Sequence, residues 1–187
     1  MFIHGSFASI LRGDPVVRDL EHRSDIDVYG TQEELDQLLE ALRSQDENVI
    51  VFESSVFAGR VRINRSDRVT YRLDPQAIKD IDYEVLSDDI LEQFLNLGDN
   101  TEITFFGMPA FFVSEATDIV IKRSAQQVNV GAQKRKHQAD IDKYLGKGVK
   151  LSNSHKKLES DLEKLRKEQY STPEAKALIE EAKKWRP

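Results

Sequence analysis

Residues Asp25-Ile26-Asp27-Val28 place two carboxylates one residue apart and alternate them with two branched apolar side chains. In a strand, successive side chains point to opposite faces, so Asp25 and Asp27 share one face while Ile26 and Val28 share the other. Two acids held side by side repel each other, and a cation between them removes that cost. Mg²⁺ is the simplest candidate, because it takes carboxylate oxygens together with substrate phosphates. Upstream, residues 1–4 read as a short buried strand, followed by Gly5-Ser6 and a short helix to Leu11. Free N–H groups at the start of that helix suit a phosphate, and Gly5 permits close backbone approach by a ligand. A Gly-Ser pair alone is an ordinary strand-to-helix turn. Its pairing with Asp25-Ile26-Asp27 gives it chemical meaning.

A third acid is available downstream. In Lys79-Asp80-Ile81-Asp82-Tyr83-Glu84-Val85-Leu86, the residues Ile81, Tyr83 and Val85 share one strand face, and Asp80, Asp82 and Glu84 share the other. Read by itself, that alternation also describes an edge strand facing water.

Gly5-Ser6-Phe7-Ala8, Arg12-Gly13, Ser24-Asp25-Ile26-Asp27 and the acid-bearing strand around Asp82 together resemble the signature of the DNA polymerase β-like nucleotidyltransferase superfamily. The wording is similar to its cyclic-oligonucleotide synthases, and equally to the small nucleotidyltransferases of toxin–antitoxin and antibiotic-modifying groups. The resemblance covers residues 1–86 in motifs and 113–145 in outline. It implies an α+β fold, a mixed sheet flanked by helices and followed by a C-terminal helical region. It implies a metal-dependent transfer of a nucleoside monophosphate from an NTP to a hydroxyl, with release of pyrophosphate. Asp25, Asp27 and Asp82 would be both catalytic residues and ligands of Mg²⁺ or Mn²⁺. Asp82 is preferred over Asp80 and Glu84 for its apolar-Asp-apolar surroundings. Gly5, Ser6, Lys122 and Arg123 would contact substrate. Residues 7–24 separate Ser6 from Asp25, a longer stretch than the family's usual one, which leaves the subfamily open. A second reading keeps the nucleotide cleft without turnover, as a binding protein or inhibitor that engages nucleotide, RNA or a protein partner.

The remaining chain reads as alternating elements. Thr31-Gln32-Glu33-Glu34 is a capping box, and Leu35, Leu38, Leu39 and Leu42 recur at helical spacing, the stripe of a helix packed on a sheet. Val49–Phe52 reads as a strand, and Gly59–Arg65 and Val69–Leu73 as a hairpin. Arg60, Arg62 and Arg72 then line one surface, open either to a triphosphate or RNA backbone or simply to solvent. Asp88–Leu97 reads as a helix, and the aromatic run Thr101–Val113 is broken by Gly107 and Pro109. Helices follow from Ser114-Glu115 and over Ala132–Leu145. Beyond Gly146-Lys147-Gly148, the residues Leu151, Leu158, Leu162 and Leu165 mark an amphipathic helix, and Pro173 opens another. These segments suggest a catalytic domain over 1–112, a helical part completing the cleft over 113–146, and a basic helical hairpin or arm over 147–187.

Charge also divides the chain. Residues 1–117 hold 10 Lys+Arg against 23 Asp+Glu, and residues 118–187 hold 17 against 10. The acidic part suits cations. The basic part is expected to face a nucleotide or a nucleic acid, or to be solvated helix surface. Its last helices could pack on the domain, pair with a second copy as a homodimer, or grip nucleic acid. The acceptor is left open among RNA, protein and small molecule. With no cysteine, no long apolar run and no basic flank at Met1, the expectation is a cytoplasmic protein without disulfides or membrane contact.

Overall fold

The computed structural model describes residues 1–14, 25–45, 48–65, 80–128 and 132–184. Ser24, the strand expected at Val69–Leu73 with Arg72, and Trp185 lie outside the described residues. The chain divides into two compact units. The first comprises Met1–Ser54, Gly59–Glu92 and Gly98–Ser114, and the second Ser55–Ala58, Gln93–Leu97 and Glu115–Pro187.

In the first unit, β1 (Phe2–His4), β2 (Asp25–Gly30), β3 (Val49–Glu53), β4 (Arg60–Arg65), β5 (Asp80–Val85), β6 (Thr101–Phe105) and β7 (Met108–Phe112) form one sheet. Their order is β3-β4-β5-β2-β1-β7-β6. The sheet is mixed: β2 runs parallel to β5 and β1 parallel to β7, while the other neighbours are antiparallel. With its helices, this is the α+β architecture expected from the sequence. Because β5 is paired on both sides, its acids do not mark a solvent-facing edge.

One face of the sheet is apolar by alternation. Ile3, Ile26, Val28, Ile63, Ile81 and Tyr83 are buried there in one cluster with Phe7 of α1 (Gly5–Leu11) and Leu35, Leu38 and Leu42 of α2 (Gln32–Gln45). Burying each such aliphatic side chain stabilises by roughly 1.5–3 kcal/mol. The capping box starts α2 as its spacing predicted. Glu34 N donates to Thr31 Oγ1 at 3.0 Å, and Thr31 N donates to Glu34 Oε2 at 2.9 Å. Tyr83 crosses the core to donate its hydroxyl to Thr31 O at 2.9 Å, and burial pushes its phenol pKa up.

The aromatic run resolves into the β6–β7 hairpin. Its two turn residues, Phe106 and Gly107, both take positive φ, +49° and +83°. That matches the twist of a tight hairpin but costs a non-glycine residue about 1–2 kcal/mol. Burial of the Phe106 ring, 4.7 Å from Phe105 and under the Arg65 guanidinium at 5.0 Å, offsets it.

After α3 (Asp88–Asn96), α4 (Glu115–Gln126) of the second unit is buried at every position from Ala116 to Lys122. Helices α5 (Ala132–Gly146) and α6 (Asn153–Gln169) pack against it, and α7 (Pro173–Lys184) follows. On α6 the buried positions are His155, Leu158, Leu162 and Arg166, so Leu165 lies beside the stripe rather than within it. Ser152 caps α6 reciprocally with His155. Among the described residues, no helix is long and apolar enough to cross a membrane.

Candidate functional site

The second face of the first unit's sheet carries the acids. The parallel register of β2 and β5 sets Asp25 opposite Asp80 and Asp27 opposite Asp82. Neighbours in register share a face, so four carboxylates from two adjacent strands converge on one side of the sheet. The antiparallel pairings extend the row. His4 stands opposite Asp27 on β1, and Arg62 and Asn64 stand opposite Asp82 and Asp80 on β4. Like charges directly across a sheet are destabilising, and β4 supplies the compensation. Asn64 Nδ2 donates to Asp80 Oδ1 at 2.5 Å. Arg62 Nε donates to Asp82 Oδ1 and Nη2 to Oδ2, both at 2.6 Å. Hydrogen bonding to Asp82 raises the Arg62 pKa beyond its already high value, and the charges of Asp82, Asp80 and Asp25 add to it. Arg60, two residues away on β4, makes an ion pair with Glu84, Nε 3.4 Å from Oε2, without the two short hydrogen bonds of the Arg62 pair.

The glycine–serine turn belongs to this face. Gly5 has φ +69°, and a Cβ built there would lie 2.5 Å from Asp27 Oδ2. Gly5 is therefore required twice, for its left-handed backbone and for the space that the carboxylate takes. Gly5→Ala is expected to displace Asp27 and to destabilise by about 1–2 kcal/mol from the backbone conformation alone. Urea unfolding checks the second effect. An unchanged midpoint would mean that the turn is not held in this conformation.

The donor set can be tested against a divalent cation. Carboxylate oxygens are the right ligand chemistry, and Asp25, Asp27 and Asp82 stand on one face, with Asp25 exposed. The Asp27 carboxylate takes the space that a Cβ at residue 5 would fill. Among the described residues, however, no three acidic or imidazole groups are drawn together closely enough to hold a metal ion. Both oxygens of Asp82 are engaged by Arg62 instead. The set therefore matches a cation in ligand chemistry but not in placement, and its third member is held by an internal guanidinium.

Lys122 and Arg123 are on α4, in the second unit. Lys122 is 7% exposed, and its Nζ lies 2.8 Å from Asp118 Oδ2 and 3.8 Å from Asp140 Oδ2. Asp118 is fully buried and also accepts from Tyr144 Oη at 3.2 Å. Arg123 Nη1 lies 3.6 Å from Glu159 Oε2. Sequence reasoning passed over Asp118, although its spacing to Lys122, four residues along one helix, was a readable signal. It also passed over the pairing of Arg62 with Asp82, which depends on the register of β4 against β5.

His137 sits beside this network, with Nδ1 3.4 Å from Lys122 O; a carbonyl only accepts, so Nδ1 carries the proton. Burial lowers the His137 pKa below its ordinary 6.5, and Lys122 and Lys136 add to that, against the Lys122 carbonyl and Asp140. Below the ordinary pKa the unfolded chain binds the proton more readily than the folded one, so acidification costs stability. His137→Gln removes this contribution. The variant should gain stability relative to the wild type between pH 7 and pH 5, read from urea midpoints at both. A difference that does not change with pH would show that His137 does not titrate differently in the two states.

No protein-family model matches the chain, and no curated protein matches it. Among solved structures, it is similar to the crystal structure of an antigenic nucleotidyltransferase-like protein from Paracoccidioides brasiliensis. The two are 16% identical with a TM-score of 0.46, over 90% of this chain and 81% of that one.

Proposed function

We propose that the protein is a nucleotidyltransferase, which transfers a nucleoside monophosphate from an NTP to a hydroxyl acceptor in a reaction dependent on Mg²⁺ or Mn²⁺. The observation that supports this most is the contact of the two sequence motifs, with Gly5 seated directly against the Asp27 carboxylate on a face that also holds Asp25 and Asp82. Asp25 and Asp27 would hold the cation, with Asp82 as the third ligand. A bound divalent ion supplies neutralisation of phosphate charge and orientation of the reacting oxygens. The chain's own part is positioning. Adjacent paired strands fix the carboxylates, and Gly5 leaves room for the Asp27 carboxylate. Gly5 and Ser6 are assigned to the outer phosphates. The acceptor hydroxyl gives up its proton to solvent as its oxygen bonds to the α-phosphorus, the bond from that phosphorus to its bridging oxygen breaks, and pyrophosphate leaves.

The experiment is incubation of the purified protein with each α-labelled NTP and Mg²⁺ or Mn²⁺, with RNA, protein and small-molecule fractions as acceptors. Transfer of label to any of them supports the proposal. Absence of both transfer and NTP binding would overturn it. A second reading, a cleft that binds without turnover, is favoured by the bidentate Arg62–Asp82 pair, since a guanidinium already neutralises the third carboxylate. NTP binding without transfer would select it. Loss of nucleic-acid binding as salt rises would support a nucleic-acid role for the basic C-terminal helices.

A further inference from the structure

The strand order leaves β3 at one end of the sheet, and among the described residues no strand pairs with its outer side. Ser54 N donates to Arg60 O at 2.9 Å, so this is a hydrogen-bonded pair at the end of the antiparallel β3–β4 ladder. Such pairs alternate with non-bonded ones, so Phe52 with Arg62 and Ile50 with Asn64 exchange hydrogen bonds too. Val49, Val51 and Glu53 then turn their N–H and C=O groups to the outer side. The strand reads Val-Ile-Val-Phe-Glu, and its pairing with β4 runs without a bulge. It therefore lacks lysine, proline and a bulge, three of the devices that keep a sheet edge from pairing with another chain. Its side chains are as available as its backbone. Ile50 is 47% exposed and Phe52 55%, both on the face of Asn64 and Arg62.

We propose that β3 is a homodimer interface, pairing antiparallel with β3 of a second copy about a two-fold axis at Val51. That axis sets Val51 opposite its own counterpart, Ile50 opposite Phe52 of the second copy, and Val49 opposite Glu53. The outward N–H and C=O groups of Val49, Val51 and Glu53 then all meet partners. Ile50 and Phe52 fall in the non-hydrogen-bonded pairs, where side chains come closest. Two such pairs, related by the axis, gather four exposed apolar side chains into one cluster. No like charges face each other, because Glu53 meets Val49. The strand is thus complementary to itself, as a two-fold interface requires, and this favours a second copy over a foreign peptide. Five residues a side is fewer than the roughly 20–30 of a standard interface, so the dimer is expected to dissociate in the micromolar range. The pairing needs neither cation nor nucleotide, and so stands apart from the transferase reading.

The test is sedimentation equilibrium of the whole chain over a dilution series reaching about 100 µM. A thermal melt on each variant shows that it is folded. The wild type should pass from monomer to dimer across the series. Val51→Pro removes an outward N–H from each copy and should raise the dissociation constant at least about tenfold. It spares the β3–β4 ladder, to which that N–H does not contribute. Ile50→Lys and Phe52→Glu alter exposed side chains and read association even if Val51→Pro does not fold. Each should weaken the dimer, and mixing the two should restore it, because the introduced opposite charges face each other across the axis. Leu178→Lys, on α7 and also exposed, should change nothing. A wild type that stays monomeric throughout would overturn the proposal, as would a dimer that folded Val51→Pro leaves intact. A mixture no tighter than either variant alone would overturn the pairing of Ile50 with Phe52. Loss of the dimer in Leu178→Lys would overturn the proposal in favour of an interface on the C-terminal helices.

Discussion

Asp27→Asn is expected to reduce label transfer from an NTP by at least about 10²–10³-fold while leaving the thermal midpoint unchanged or slightly raised. Asparagine keeps the shape of the carboxylate but removes the charge that a divalent cation needs. The same change relieves repulsion on a face where Asp27 stands opposite Asp82 and one residue from Asp25. Loss of activity and retention of stability therefore go together. Stability lost in parallel with activity would point to a structural role for Asp27, and transfer at the wild-type rate would move the chemistry away from this face. Because a Cβ at residue 5 would also reach this carboxylate, Gly5→Ala should reduce transfer too, through displacement of Asp27 rather than loss of its charge.

Lys122→Met is expected to have the largest effect on stability, a loss of about 3–5 kcal/mol. It takes the ammonium away from Asp118, which is fully buried, and leaves the Tyr144 hydroxyl donating to that carboxylate. A buried carboxylate stripped of its countercharge costs far more than the pair contributes. The double variant Asp118→Asn/Lys122→Met removes both charges and should recover most of the loss, since the introduced amide oxygen can still accept from Tyr144. Urea unfolding of the single and double variants measures the coupling. If Lys122→Met is tolerated, the buried pair is not as close as the structure places it. The double variant also tests the substrate role assigned to Lys122 by the family resemblance. Retained NTP binding in a folded double variant makes Lys122 structural, and lost binding gives it a part in the substrate site.

Local signals were legible where they rest on neighbouring residues. The capping box at Thr31 and Glu34, the leucine stripe of α2, and the alternation that puts Ile26 and Val28 opposite Asp25 and Asp27 all depend on one strand or helix at a time. The Phe-rich run was less legible. A positive φ at Phe106 is unfavourable in isolation and is tolerated because its ring is buried under Arg65, a residue distant in sequence. For the acidic strand β5, alternation alone describes a solvent-facing edge equally well. Pairing to β2 and β4 removes that alternative, and no property of residues 80–85 contains those pairings.

The sequence by itself determined which residue types share a face on each strand, because side-chain alternation is a local property of extended backbone. It thereby determined that Asp25 travels with Asp27 and that Asp82 travels with Asp80 and Glu84. Only the tertiary structure decided that the two sets meet. Parallel pairing of β2 with β5 brings Asp27 beside Asp82, and antiparallel pairing of β1 with β2 brings the Gly5 turn against Asp27. The same register placed Arg62 on Asp82, and helix packing buried Lys122 with Asp118. Register is chosen by the burial of the opposite, apolar face, where a one-residue slip would expose Ile26, Val28, Ile63 and Ile81 to water. The chemistry of the polar face therefore follows from the packing of the apolar one.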